Sequence, residues 1–397
     1  MEPNFFYLPK HPLGPILGMG VQREIKSENP GDLKNLQVFI EANSGNYLFG
    51  TLSYDLKNHF EPLDSLNEDQ IAYPYFHFWE PEVLYKLGDQ LTLLAGQETS
   101  ESQKLATSFL EQLNNVKPKL EVKFKAKTSK ETYFERFNAI KEALQQGNIY
   151  EINYCQEFFA ENTNIEHPVA LFSKLNELTK APHAAYVETP DHCVFCASPE
   201  RYLLKVGQTL RSEPIKGTAP RSLNPMTDKA LANKLQNDPK ERAENIMIVD
   251  LVRNDLSQLA QKASVKVDEL CEIYSFETVH QMISKISCQL KPTVSFTDIL
   301  RCSFPMGSMT GAPKISAMQH IENFEDFKRG LYSGSIGLIE PNGDFDFNVV
   351  IRSLIYNRKN KYLSCAVGSA ITIEAEAENE FQECLLKVNK LIYGLQS

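Results

Sequence analysis

Apolar and polar positions follow one rhythm in the first third of the chain and another in the rest. Up to about residue 125, apolar residues come in short aromatic and β-branched runs, such as Tyr47–Tyr54 and Tyr73–Trp79, broken by Pro, Gly and Asn. Such runs predict strands with long connections. Residues Glu98–Lys130 are charged and rich in Gln, Ser and Lys, with one helical pattern near Lys104–Leu113, and form the linker candidate. Helical spacing comes next: Tyr133, Phe137, Ile140 and Leu144 follow a Thr128–Glu131 capping box and stop at Gly147. A second helix is predicted from Asp238-Pro239, with Glu241 completing a capping box, to about Val252. A third covers about Glu378 to Tyr393, with Phe381, Leu385, Val388 and Ile392 as its apolar stripe. Tyr332–Ile339, Asp344–Tyr356 and Tyr362–Ile373 alternate like antiparallel strands, and Ala184–Glu188 and Cys193–Ala197 flank a turn like a hairpin. Strands with long connections and intermittent helices predict an α+β fold. At 397 residues the chain exceeds what one core usually supports, so a composite fold with a cleft is expected, divided into a β-rich part, 1–125, and a motif-dense part, 126–397.

Composition narrows the function. The 41 Lys+Arg against 51 Asp+Glu leave a formal net charge of −10, with no Lys/Arg run longer than two residues, which excludes an electrostatic nucleic-acid binder. No apolar stretch is long enough to span a bilayer, and the start MEPNFFYLPK shows no basic region before an apolar run. A cytoplasmic enzyme, with neither nucleic-acid nor membrane partners, is the expectation. The eight cysteines are too sparse for a disulfide framework and are expected as thiols. His192-Cys193-Val-Phe-Cys196 lacks a second ligand pair at zinc spacing and reads as part of a strand.

Four constellations could carry chemistry. Glu241 and Glu244 share a face of the second helix, and Glu380 and Glu383 share one of the third, with Lys387 four residues on. Carboxylates on two helices suit a hard divalent cation such as Mg²⁺, although Glu-x-x-Glu also marks many solvated helices. Gly307-Ser-Met-Thr-Gly311-Ala-Pro313-Lys314 is either an anion-binding turn or a plain helix entry; it is not a Walker loop. In Pro214-Ile215-Lys216-Gly217-Thr218, the lysine is either a surface residue or a partly buried nucleophile with a lowered pKa. Asp250-Leu-Val-Arg253-Asn254-Asp255 reads as a hydrogen-bonded cluster at a helix end. No cysteine sits in a glycine-flanked turn suited to a glutaminase. The residues alone support a metal-assisted enzyme acting on a small anion.

Taken together, GNIYEINYCQEF (147–158), SPERYL (198–203), PIKGTAPR (214–221), DPKERAENIMIVDLVRNDL (238–256), FPMGSMTGAPKISAM (304–318), LYSGSIG (331–337), IRS (351–353) and GSAITIEAEAENEFQECLLK (368–387) resemble the chorismate-utilising enzyme family. The resemblance implies an α+β sandwich of large antiparallel sheets with a central cleft, and makes 126–397 the chorismate-binding catalytic region. It implies Mg²⁺ held directly by Glu244 and Glu383, with Glu241 and Glu380 acting through water. It implies Glu200 as general acid and Lys216 as covalent nucleophile. Thr218, Tyr332, Arg352, the Gly368-Ser369-Ala370 backbone and Lys387 match positions that hold the substrate's carboxylates. Lysine in PIKGT is similar to the subfamily that aminates chorismate at ring carbon 4 to 4-amino-4-deoxychorismate, for p-aminobenzoate and folate synthesis. That reaction implies a glutamine amidotransferase partner, or free ammonia. Anthranilate synthase large subunits, with alanine at the position of Lys216, are the runner-up, and a non-catalytic regulatory or scaffold homologue is the alternative of another class. Family members that activate water carry lysine where Glu151 stands, and aminating members usually carry glutamine, so Glu151 is given no role. Gln281 stands where many relatives have a substrate-contacting histidine, with His280 one place off, and neither is assigned. The leucine-serine segment that binds feedback tryptophan in anthranilate synthases is not apparent near the N terminus.

Overall fold

A computed structural model describes residues 4–118, 120 and 122–396; Met1–Pro3, part of the start read for a leader, lie outside the described residues. Two large antiparallel sheets organise the chain, with helices around them. Among the described residues, one sheet has eleven strands and the other ten. Strand alternation explains how the first sheet is buried on both faces. Phe6, Ile16 and Val194 point into a core between the sheets, where they join Phe49, Phe78, Trp79 and Phe347 of the second sheet. Their neighbours Tyr7, Leu17 and Phe195 point the other way, into a second core. That outer core is closed by Phe109 of helix Ser100–Asn115, Phe172 of helix Pro168–Thr179, and Val388 and Leu391 of helix Ala377–Gln396. Across the central core, Phe6 stacks on Phe49 with ring centroids 4.1 Å apart.

The N-terminal β-rich part contributes to both sheets. Phe5–Leu8 and Ile16–Met19 extend the first sheet from His183–Glu188, whereas Leu48–Leu52, Phe76–Glu80 and Arg23–Ser27 extend the second from Ser335–Ile339. The linker candidate Glu98–Lys130 holds the docked helix Ser100–Asn115, with Ala106 and Phe109 buried, so its charged residues are one face of a packed element. The hairpin at His183–Glu188 and His192–Ser198 forms as expected, and Cys193 and Cys196 are buried free thiols within it. Ser129, and not Thr128, caps the helix Lys130–Gln145 by accepting from the Thr132 amide; the Thr128 hydroxyl donates instead to Asp326 at 2.9 Å. Asp238 caps helix Pro239–Leu259, which runs a full turn and more past Val252. Asp250–Asp255 therefore lies inside the helix, where Asp255 accepts from Lys314 at 2.6 Å.

Two of the chain crossings between the sheets carry residues of the cleft. The predicted strand Asp344–Tyr356 is two strands, Phe345–Asn348 in the second sheet and Ser353–Asn357 in the first. Between them Arg352 takes a left-handed backbone (φ 51°), a conformation that costs a residue with a Cβ about 1–2 kcal/mol. The other crossing lies between His192–Ser198 of the first sheet and Arg201–Val206 of the second, and carries Glu200. The crossings are tied together by the Val349 amide, which donates to the Glu200 carbonyl at 3.0 Å.

Candidate active site

A cavity of about 590 Å³ opens beside these crossings. Glu200, Lys216, Thr218, Glu241, Glu244, Tyr332, Arg352, Gly368, Ser369, Ala370, Glu380, Glu383 and Lys387 all line it. The structure thus brings together every residue singled out for the site, from segments nearly 190 positions apart.

Lys216 is aimed by a break in strand pairing. Strand Ile215–Pro220 pairs with Val279–Gln289, but the register shifts between Ile215 and Thr218, so Lys216 and Gly217 sit in an irregularity. Such a bulge re-aims a side chain. Gly217 (φ +84°) supplies the backbone freedom, and a Cβ there would meet the Glu241 carboxylate at 3.0 Å. Lys216 Nζ donates to Glu151 Oε1 at 2.5 Å, with the lysine side chain 9% and the glutamate 1% exposed. The expected lowering of the lysine's pKa is not what this setting produces. Burial does disfavour the charged amine, but Glu151, Glu244 and Glu200 outweigh it and hold Lys216 above the ordinary lysine value.

Glu200 is buried, with Ser308 donating to its Oε1 at 2.8 Å. Burial pushes its carboxyl up to about 7, although Ser308, Lys216 and Arg352 pull the other way. A carboxyl poised there can give a proton near neutral pH. Ser308 belongs to the Gly307–Lys314 segment, which enters helix Lys314–Phe324, as one of its two readings held. Its serine orients Glu200, and its lysine is committed to Asp255.

The helix glutamates behave as acids short of a counter-charge. Glu244 is pushed up to about 7 by burial, and Glu241 and Glu380 also rise for that reason. Glu383, half-exposed and paired with Lys387 at 2.7 Å, falls below the usual range because Lys387 outweighs burial. Among the described residues, no three carboxylates converge closely enough to wrap an ion as they stand. Two observations nonetheless fit a divalent cation. Glu244 Oε1 is buried with no hydrogen-bond partner among the described residues. The Lys240 ammonium spans the two helices, 3.9 Å from Glu244 and 3.2 Å from Glu380, so one cation already stands between them. Mg²⁺ commonly takes only one or two protein carboxylates and completes its shell with water and ligand oxygens.

Lys387 donates to the Gly368 carbonyl at 2.8 Å and so ties the last helix to the wall strand Tyr362–Thr372. Arg352 faces the cavity, with the charges of Glu200 and Glu383 acting on it. Thr218 stands opposite Gln281 in the strand register. Gln281 lines the cavity with neither side-chain polar atom hydrogen-bonded among the described residues. His280 turns away, between Ser275 at 2.8 Å and Asp228 at 3.0 Å. Ser308, Lys240, Lys390 and Asn153 also line the cavity; only their place in matched strings could have pointed to Ser308, Lys240 and Asn153, and no string covers Lys390.

A model of the family described as chorismate binding enzyme matches residues 2–393. The chain is 34% identical to aminodeoxychorismate synthase component 1 of Escherichia coli (strain K12), over 87% of this chain and 76% of that protein. It is 31% identical to the protein of the same name from Bacillus subtilis (strain 168), over 85% and 74%. Among solved structures, anthranilate synthase component I from Streptococcus pneumoniae TIGR4 superposes with a TM-score of 0.81 at 26% identity, covering 95% of this chain and 91% of that one. The menaquinone-specific isochorismate synthase MenF from Escherichia coli, at 17% identity and a TM-score of 0.76, shares the fold. The chain belongs to the chorismate binding enzyme family.

Proposed function

We propose that the protein aminates chorismate at ring carbon 4, giving 4-amino-4-deoxychorismate, with ammonia as nitrogen source. The observation that carries this reading is Lys216, a buried amine in the cavity wall, in a site whose general-acid candidate Glu200 is held near neutral pKa. Hydroxide is a poor leaving group, so direct displacement by ammonia is slow. In the proposed sequence the Lys216 amine adds at ring carbon 2, the carbon 4–oxygen bond breaks, and Glu200 donates the proton that lets the hydroxyl leave as water. Ammonia then adds at carbon 4 while the bond from carbon 2 to the lysine nitrogen breaks. The product keeps the positive charge as its ammonium, and Lys216 is returned as a neutral amine. Covalent capture divides one hard displacement into two easier ones.

Arg352 suits a planar carboxylate, Lys387 supplies a point charge, and Thr218, Tyr332 and the Gly368–Ala370 backbone complete the substrate wall. Glu244 and Glu383 would hold Mg²⁺ directly, with Glu241 and Glu380 acting through water; when bound, the ion neutralises a substrate carboxylate. The similar proteins are named component 1, which supports a companion component. A glutamine amidotransferase would fit that place, because no glutaminase nucleophile is recognisable in the chain.

The test is chromatography of products after incubation with chorismate, Mg²⁺ and an ammonium salt at alkaline pH. Aminodeoxychorismate without pyruvate release is expected, and glutamine alone should give none. The structural likeness to anthranilate synthase component I favours a second reading. Anthranilate with equimolar pyruvate would establish it in place of the first.

A further inference from the structure

Glu151 is built into the site from behind and reaches it only through Lys216. It opens strand Glu151–Ala160, opposite Thr372 on one side and Ala312 on the other. Its backbone is held closely: a Cβ on Gly311 (φ +144°) would come within 2.1 Å of the Glu151 carbonyl oxygen. Its carboxylate is not part of the cavity wall; Oε1 accepts from Lys216 Nζ at 2.5 Å, and Oε2 is buried with no hydrogen-bond partner among the described residues. A carboxylate placed this deeply carries a desolvation cost that one hydrogen bond offsets only in part. The other carboxylates facing Lys216 have other partners. Glu200, on the crossing, accepts from Ser308, and Glu244, on the helix, stands in the acid group spanned by Lys240. The charges of Glu241 and Glu383 also interact with Lys216, as the smallest of the effects acting on those two acids.

We infer that Glu151 is the positioning partner and proton acceptor of Lys216, holding its ammonium in the wall and taking one proton as the amine attacks. The inference rests on the covalent-lysine reading above. The proton moves from Nζ to Oε1 along the existing hydrogen bond, leaving a neutral amine and a neutral acid. No exchange with solvent is needed, because the two groups already share the hydrogen bond along which the proton passes. The amine lone pair then forms the bond to ring carbon 2. When ammonia later releases the lysine as a neutral amine, the proton on Glu151 returns to it and the pair is restored. Lys216 can thus be held charged in the resting site and still act as a nucleophile.

The experiment follows adduct formation by intact-protein mass spectrometry, with chorismate and Mg²⁺ but no ammonia, between pH 6 and 10. Chorismate binding is measured in parallel by equilibrium dialysis. The wild-type chain should gain the mass of chorismate less water. Glu151→Gln, which is nearly isosteric, should bind chorismate normally yet form the adduct about 10²-fold more slowly at neutral pH. Its deficit relative to wild type should narrow as the pH rises, because its lysine must lose the proton to solvent. Glu151→Asp, with the carboxylate drawn back by one methylene, should be about tenfold slower and keep the wild-type pH profile. If Glu151→Gln matches wild type at every pH, or is slower by the same factor throughout, the proton-accepting role is overturned while the lysine adduct stands. Should Glu151→Gln fail to bind chorismate, Glu151→Asp decides, and an unchanged rate there overturns the role. If wild type forms no adduct and Lys216→Ala aminates normally, the covalent reading itself falls, and the role of Glu151 with it.

Discussion

Two lysines meet carboxylates in the same cavity, and they are held in opposite ways. Lys216 is 9% exposed and bound to Glu151 at 2.5 Å, from a break in strand register. Lys240 is 45% exposed and stretches between Glu244 at 3.9 Å and Glu380 at 3.2 Å, across two helices. The first pair is dry and fixed, so its charges act strongly on each other. The second is wet at one end and loose, so it contributes little and yields readily to another cation. One arrangement suits a reacting group and the other a placeholder. Chemistry is expected at the strand-borne lysine and charge neutralisation at the helix-borne acids.

The sharpest way to break this comparison is to remove a helix acid. Glu244→Gln or Glu383→Gln should abolish turnover and weaken Mg²⁺ binding by about 100-fold or more, since each would remove a ligand of the proposed Mg²⁺ site. Isothermal titration with Mg²⁺ and a turnover assay check this together. Near-normal turnover without extra Mg²⁺ would remove that residue from the ligand set. Next comes Lys216→Ala, which should lower amination by about 10²-fold or more while chorismate still binds. It also leaves Glu151 buried without its partner, a loss of about 3–5 kcal/mol for a broken buried pair, which Glu151→Gln in the same chain should largely relieve. Denaturant unfolding of the two single variants and the double variant measures that coupling. A coupling near zero would make the pair as loose as Lys240 with Glu380.

Glu200 sets the next effect. Its folded carboxyl titrates near 7, against an ordinary glutamate value in the low fours, so it is largely protonated below pH 7 and charged above. Only the protonated form can donate to the leaving hydroxyl. Adduct formation without ammonia should therefore fall by about tenfold per pH unit well above 7, and Glu200→Gln should lose that limb along with most of its rate. A wild-type rate flat from pH 6 to 9 would dismiss Glu200 as the acid. The smallest effect is expected at Lys240. Lys240→Met should leave stability within about 1 kcal/mol and tighten Mg²⁺ binding by a few-fold, because a competing cation is gone. Weaker Mg²⁺ binding would show that Lys240 supports the acid site.

Much of this architecture is legible in the sequence. Sheet-forming runs, the amphipathic last helix and the Asp238 cap are local properties, written in residue type and period. The strand read as continuous over Asp344–Tyr356 could not be divided from its pattern, because both halves alternate alike. The crossing at Arg352 exists because two sheets need the chain to pass between them there. The linker reading of Glu98–Lys130 failed for a related reason. A largely polar helix docks well when its one apolar stripe, Ala106 and Phe109 with Leu105, Leu110 and Leu113 beside them, meets a ready apolar face. Likewise Thr128 and Ser129 are equally good caps in sequence, and Asp326, almost 200 residues on, engages the first.

By itself the sequence determined which chemical groups the site contains: Glu200, Lys216, the glutamates of two helices, Arg352 and Lys387 are named by their strings and lie around one cavity. Only the tertiary structure decided the state in which those groups are held. A pKa depends on what surrounds a group in space, so Lys216 is raised by Glu151, 65 positions away along the chain, and not lowered by its apolar neighbour Ile215. Glu200 reaches about 7 because two sheets close over it, with Ser308 as its donor from a distant loop. Residue type is local information, whereas burial and charge are sums over everything the fold brings near.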